Sequence, residues 1–213
     1  MDIATLLTIA FGSIFVSNFV LAKFLGLCPF IGVTKKMKSA LGMGAAVTFV
    51  MFLASSVTYF LYGFILKEGA VLVKADLVLA LKTPMYILVI ATLVQLVEMF
   101  LKARVPTLYD ALGVYLPLIT TNCAIMGVAL LNTTDAPETI RALGEQSFAL
   151  GFVAASWRGV SAGIGFTLAM LLMSGVRERL AYADVPKPFL GVPIAFICTG
   201  LMAMAFLAFT GML

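Results

Sequence analysis

The sequence predicts an all-α integral membrane protein: six transmembrane helices in two inverted three-helix repeats, with the first and fourth spans broken. Three observations carry this prediction. Of 213 residues, 62% are hydrophobic and only 11% charged, with a mean hydropathy of +1.12. A soluble domain runs near half apolar and a quarter charged, so the excess demands a bilayer. The chain also matches itself at a fixed offset, and its first apolar segment is too long for one straight span.

Six apolar segments lie at roughly 3–27, 41–66, 84–101, 108–131, 146–173 and 189–211, joined by short connections. None of those connections is long enough to fold separately, which predicts a single membrane domain over 1–213. The loops after spans one, three and five hold Lys35, Lys36, Lys38, Lys102, Arg104, Arg177, Arg179 and Lys187. Those after spans two and four hold Lys67, Lys74, Lys82 and Arg141, diluted by acidic residues. This asymmetry predicts that both termini lie outside the cytoplasm. "MDIATLL" lacks the basic start of a signal peptide and is read as mature sequence.

Sliding the chain by 95 pairs Cys28 with Cys123, Gly32 with Gly127 and Val33 with Val128. A slide of 109 then pairs "LGMGAA" (41–46) with "LGFVAA" (150–155), and Pro84 with Pro193. The offset changes in the polar stretch 132–144. With three spans per half, the second half enters from the opposite side, so the repeats (about 1–104 and 105–213) are inverted. From Ile3 to Val33 the only charge is Lys23, a run of about 46 Å as a straight helix against a core of about 30 Å. Gly26, Pro29 and Gly32 offer places to break it. Pro117 and Thr120-Thr121-Asn122 play that part in span four, just before Cys123. Irregular backbone at membrane depth must be buried in protein or line a cavity, so two half-helices are expected to meet near the midplane.

Histidine is absent, so any transition metal must lean on Cys28, Cys123, Cys198 or on oxygen ligands. Cys198, in plain helix, reads as a small buried hydrophobe. Cys28 and Cys123 are symmetry mates at the breaks. Converging there, they suit a soft metal or half of an iron–sulfur cluster, the rest coming from a second subunit; a buried disulfide between them is the competing chemistry. Arg158, near the centre of span five, reads either as a counter-charge for an anionic site or as an arginine bonded to carbonyls or a partner's acid. Lys23 snorkels or helps place the Cys28 turn. Glu98 and Lys102 have the spacing of a local helix pair, and Asp110 caps a helix start. Asn18, Thr120, Thr121 and Asn122 line an ion path or, more simply, satisfy freed backbone. "RERLAYADVPKPF" (177–189) reads as a cytoplasmic loop able to dock a partner.

"NFVLAKFLGLCPFIGVTKK", "LGVYLPLITTNCAIMGVALLN" and "RERLAYADVP" resemble the A-type membrane subunit of the Rnf complex, the ion-translocating ferredoxin:NAD oxidoreductase of bacterial cytoplasmic membranes. The E-type subunit of the sodium-pumping NADH:quinone oxidoreductase has similar motifs, though the first block is closer to the Rnf A-type. The resemblance implies pairing with a homologous Rnf E-type subunit beside the B, C, D and G subunits. It also implies a [2Fe–2S] cluster shared between the two at the membrane centre, with Cys28 and Cys123 as this chain's ligands. Electrons from ferredoxin would cross by that cluster towards flavin and NAD. The charge arriving with them would draw in a cation, so that Na+ or H+ export is coupled to electron flow. Two other readings stand beside this one: a stand-alone inverted-repeat transporter that needs no iron, and a structural subunit whose cysteines are inert.

Overall fold

The computed structural model describes residues 3–63, 75–104, 116–133 and 147–211, all of them helix, turn or irregular chain, with no strand among the described residues. Helix α1 (Ile3–Phe11) runs into one π turn (Gly12–Val16), after which the chain is irregular up to Gly26. Helix α2 is short (Leu27–Val33), and α3 (Met37–Leu61) and α4 (Ala75–Arg104) are long. Helix α5 (Leu116–Thr120) is separated by Thr121 and Asn122 from α6 (Cys123–Thr133). Helix α7 (Phe148–Leu180) is the longest described, and α8 (Val192–Leu207) follows a short 3-10 turn at Lys187–Phe189.

Two helices, Met37–Leu61 and Phe148–Leu180, are long and apolar enough to cross a bilayer; shorter apolar helices occupy Ile3–Val16, Thr83–Met99, Leu118–Asn132 and Val192–Leu207. The molecule is apolar inside and out. Tyr86, Phe166 and Met170 are fully buried, yet Ile87, Leu88, Leu96 and Met99 of α4 and Phe196, Leu201 and Met204 of α8 are exposed. Faces of that kind are stable only against lipid or other protein.

The main packing axis is α3 against α7, two helices that approach closely because small residues line the contact. A Cβ on Gly163 would lie 2.6 Å from the Cα of Thr48, and one on Gly159 would lie 2.7 Å from Ser55 Cβ. Gly44 meets Thr167 at the same range from the other side. Gly159 and Gly163 form a small-x-x-x-small face, the pattern by which membrane helices bring their backbones together when hydrophobicity gives no drive. In this seam Thr48 and Thr167 bond their hydroxyls to Gly44 O (2.8 Å) and Gly163 O (2.9 Å) within their own helices.

Several boundaries differ from the sequence reading. Of the three expected break points in the first span, only Gly26 acts as one: it precedes α2 in a left-handed conformation (φ 83°). Pro29 lies in the first turn of α2, where its missing N–H is no loss because that turn has no intrahelical acceptor anyway. Gly32 is helical and faces open space. The stretch 177–180, expected in a loop, is the last turn of α7, where Arg177 and Arg179 complement the carbonyl end of the helix. Asp110, Arg141 and most of the polar stretch 132–144 lie outside the described residues.

Gly163→Val is expected to force α3 and α7 apart and to lower the melting temperature of the purified protein in detergent by about 3–10 °C. Gly32→Ala, with nothing near its Cβ, should leave it unchanged or slightly raised. Equal effects from the two substitutions would refute the close-packed seam.

Candidate functional site at the two helix breaks

Interrupting a helix at membrane depth frees N–H and C=O groups that no water can satisfy. In the first break Asn18, fully buried, serves three backbone groups of the interrupted segment and one carbonyl of α7. Its Oδ1 accepts from Val20 N (3.0 Å) and Leu21 N (3.3 Å), and its Nδ2 donates to Ile14 O and to Gly165 O of α7, both at 2.9 Å. That is the full capacity of an amide side chain. The break remains strained: Phe24, a bulky residue half exposed, sits in the left-handed region at φ 54°.

In the second break Asn122 caps α6. Its Oδ1 accepts from Ala124 N at 3.0 Å, the bond an N-cap side chain makes. Its Nδ2 is buried and has no hydrogen-bond partner among the described residues. Asn18 and Asn122 therefore both satisfy backbone, the simpler of the two roles expected of them. Thr120 and Thr121 also have partners.

The two breaks touch. The N–H of Gly26 donates to Cys123 Sγ at 2.9 Å, across 97 residues of sequence. A Cβ on Gly26 would meet Asn122 Oδ1 at 3.0 Å and Ala124 Cβ at 3.1 Å, and one on Gly127 would meet Leu25 at 2.7 Å. Cys123 is the first residue of α6 and Cys28 the second of α2, so each thiol sits in the first turn of a half-helix. Both are exposed free thiols, so the disulfide considered above is not formed. Cys198 is also free, partly buried in α8 and packed against the core.

The far ends of both half-helices are capped by α7. Arg177 Nη1 donates to Ile31 O (2.7 Å) and to Thr34 Oγ1 (3.0 Å), and Thr34 donates on to Phe30 O (2.6 Å). These are the carbonyls that the last turn of α2 leaves unsatisfied. Arg158, buried, donates from Nη1 to Leu131 O (3.1 Å) and to Asn132 Oδ1 (3.3 Å) at the end of α6. Asn132 in turn bonds Ser55 Oγ (2.5 Å), which donates to Ala155 O at 2.6 Å. Of the two readings of Arg158, the one bonded to carbonyls is observed. Sequence reasoning placed Arg177 in a loop and missed this bond, since nothing local links it to a carbonyl 146 residues away. Lys23 is exposed in the first break and has a partner, and Glu98 and Lys102 are one turn apart on α4.

The donor set fits half of an iron–sulfur site. Two exposed thiols stand at adjoining helix starts, and one already accepts a backbone N–H, the kind of bond that tunes sulfur bound to iron. The orphaned Asn122 Nδ2 is a donor beside Cys123. No cluster of three or more His, Cys, Asp or Glu side chains occurs among the described residues.

Fold and site together define a helical membrane protein built around two broken helices that present paired cysteines. The chain belongs to the Rnf-Nqr family, whose description, "Rnf-Nqr subunit, membrane protein", matches residues 6–213. It is 50% identical over 208 residues, 98% of each chain, to the A subunit of the Na(+)-translocating ferredoxin:NAD(+) oxidoreductase complex of Acetobacterium woodii. It is likewise 50% identical to the A subunit of the ion-translocating oxidoreductase complex of Serratia proteamaculans (201 residues, 94% of each). The protein of the same description from Aliivibrio salmonicida is 48% identical over 206 residues, 97% of this chain and 96% of its own.

Arg158→Met is expected to lower the melting temperature by several degrees, because Leu131 O and Asn132 Oδ1 lose a charged donor inside the bundle, a loss of about 1–3 kcal/mol. Were Arg158 waiting for an external anion, removing its buried charge would leave the protein equally or more stable.

Proposed function

We propose that this chain is the A-type membrane subunit of an ion-translocating ferredoxin:NAD oxidoreductase complex. We further propose that Cys28 and Cys123 hold half of a [2Fe–2S] cluster completed by a homologous E-type subunit. The observation that supports this best is the Gly26 N–H to Cys123 Sγ hydrogen bond. It draws the segment bearing Cys28 against Cys123 and leaves both thiols on the outside of the chain.

On this reading the single domain spans a bacterial cytoplasmic membrane six times, with inverted repeats near 1–104 and 105–213 and both termini on the extracytoplasmic side. The B, C, D and G subunits would complete the complex. When bound, the cluster supplies a one-electron relay at membrane depth. The chain's own residues prepare for it. Cys28 and Cys123 bind iron, Gly26 N–H offsets negative charge on sulfur, and the amino end of α6 adds a favourable dipole. Asn18, Arg158 and Arg177 hold the half-helices in place. The cargo is Na+ or H+, and the relative from Acetobacterium woodii is described as Na(+)-translocating. The region where two helices are interrupted is where the two halves would shift to alternate access for that ion.

Co-expression with an E-type partner, anaerobic purification, and assay of iron, acid-labile sulfide and the EPR spectrum of the reduced pair test this reading. A two-iron signal lost in both Cys28→Ser and Cys123→Ser and kept in Cys198→Ser is expected. An iron-free, well-folded pair, or a signal surviving both substitutions, would overturn it.

A further inference from the structure

We infer that the outer groove between α3 and α7 is a binding site for one anionic glycerophospholipid, its acyl chain in the groove and its phosphate at Arg179. The groove has a volume of about 630 Å³ and is walled by Leu41, Ala45 and Phe52 from α3 and Ile164, Leu168 and Leu171 from α7. Its floor is the Thr48–Thr167 pair, whose hydroxyls are already used within their own helices, so it offers a headgroup nothing and an acyl chain a dry trough.

A second hollow of about 400 Å³ shares Leu168 and Leu171 with it and is lined further along α7 by Gly175 and Arg179. Nothing lies within 4 Å of a Cβ on Gly175, so that end is open. Lys38 lies three residues before Leu41, on the same face of α3, and like Arg179 it is exposed. One end of the groove is therefore apolar and the other basic, with no acidic residue lining either hollow.

Length selects the occupant. From Lys38 to Phe52 the helix rises about 21 Å, half of the roughly 40–45 Å of a bilayer with its headgroups. The groove thus reaches from the polar surface to the midplane, the reach of one lipid in one leaflet. Basic pockets between membrane helices at such a depth take anionic headgroups. The inference requires only that α3 and α7 stand in a bilayer, so it fails or holds independently of the cluster.

The test is native mass spectrometry of the full chain, released from the complex purified in mild detergent, after exposure to equal amounts of phosphatidylglycerol and phosphatidylcholine. The wild-type chain is expected to retain phosphatidylglycerol about tenfold better. The double variant Lys38→Glu, Arg179→Glu should lose that preference. Ala45→Phe, which fills the groove, and Gly175→Leu, whose Cβ meets nothing within 4 Å, should each retain neither lipid at an unchanged melting temperature. Equal retention of both lipids by the wild type would overturn the inference. So would undiminished phosphatidylglycerol in both filling variants, or a wild-type chain carrying neither lipid.

Discussion

The structure depends on one constraint: every backbone group released by a broken helix inside a membrane must find a partner in the protein. An unmet N–H or C=O costs roughly 1–3 kcal/mol, and two breaks release several of each. The chain answers with a small set of long-range bonds. Asn18 stitches the first break to itself and to α7. Asn122 starts α6, and Cys123 accepts the N–H of Gly26 from the opposite break. At the carbonyl ends two arginines of α7 repeat the device, Arg177 on α2 and Arg158 on α6. A guanidinium suits that task because its several donors reach carbonyls in a fixed geometry and its charge complements the end of a helix.

Helix α7 is consequently the organiser of the fold. Its glycines at 159 and 163 admit α3, and Gly165 admits the first break, whose Ile14 backbone would stand 3.1 Å from a Cβ there. At 33 residues it is about 50 Å long, well beyond the hydrocarbon core. The surplus carries Arg177 to the end of α2 and leaves Arg179 exposed at the polar surface. The α3–α7 seam explains how both half-helices can be fixed from one side: the two arginines stand on a helix that α3 holds in place.

Composition alone announces a helical membrane protein, because no water-soluble packing could hide so much apolar surface. Both break regions are legible as well. Cys28 and Cys123, in matched settings after glycine, proline and polar residues, mark them, while Cys198 stands apart in uninterrupted apolar helix. The details of the first break are not legible in the same way. Proline and glycine signal a break, but Pro29 in a first turn and Gly32 in open space satisfy helical geometry, while the true disruption begins at Ser17–Asn18, a pair with no such signal. The partners of Arg158 and Arg177 are equally hidden, since a bond spanning 27 or 146 positions leaves no local pattern. The Gly159–Gly163 spacing, by contrast, is a readable sign of close helix packing that a hydropathy argument passes over.

The exposure of the two thiols bears most directly on function. Polar and reactive groups at membrane depth are costly to leave against lipid, yet Cys28 and Cys123 are exposed while the asparagines and arginines around them are buried. The scaffold spends its satisfied interactions on shaping the breaks and leaves their cysteines uncovered. Strain points the same way: Phe24, left-handed at φ 54°, lies four residues before Cys28, and a bulky residue holds such a conformation only where its surroundings impose it. On the proposed reading, such a surface would be finished by a partner subunit. Four thiolates make an iron–sulfur site and this chain offers two. On the proposed reading, a homologous subunit bringing two more would complete the ligand count and cover the exposed sulfur in one association.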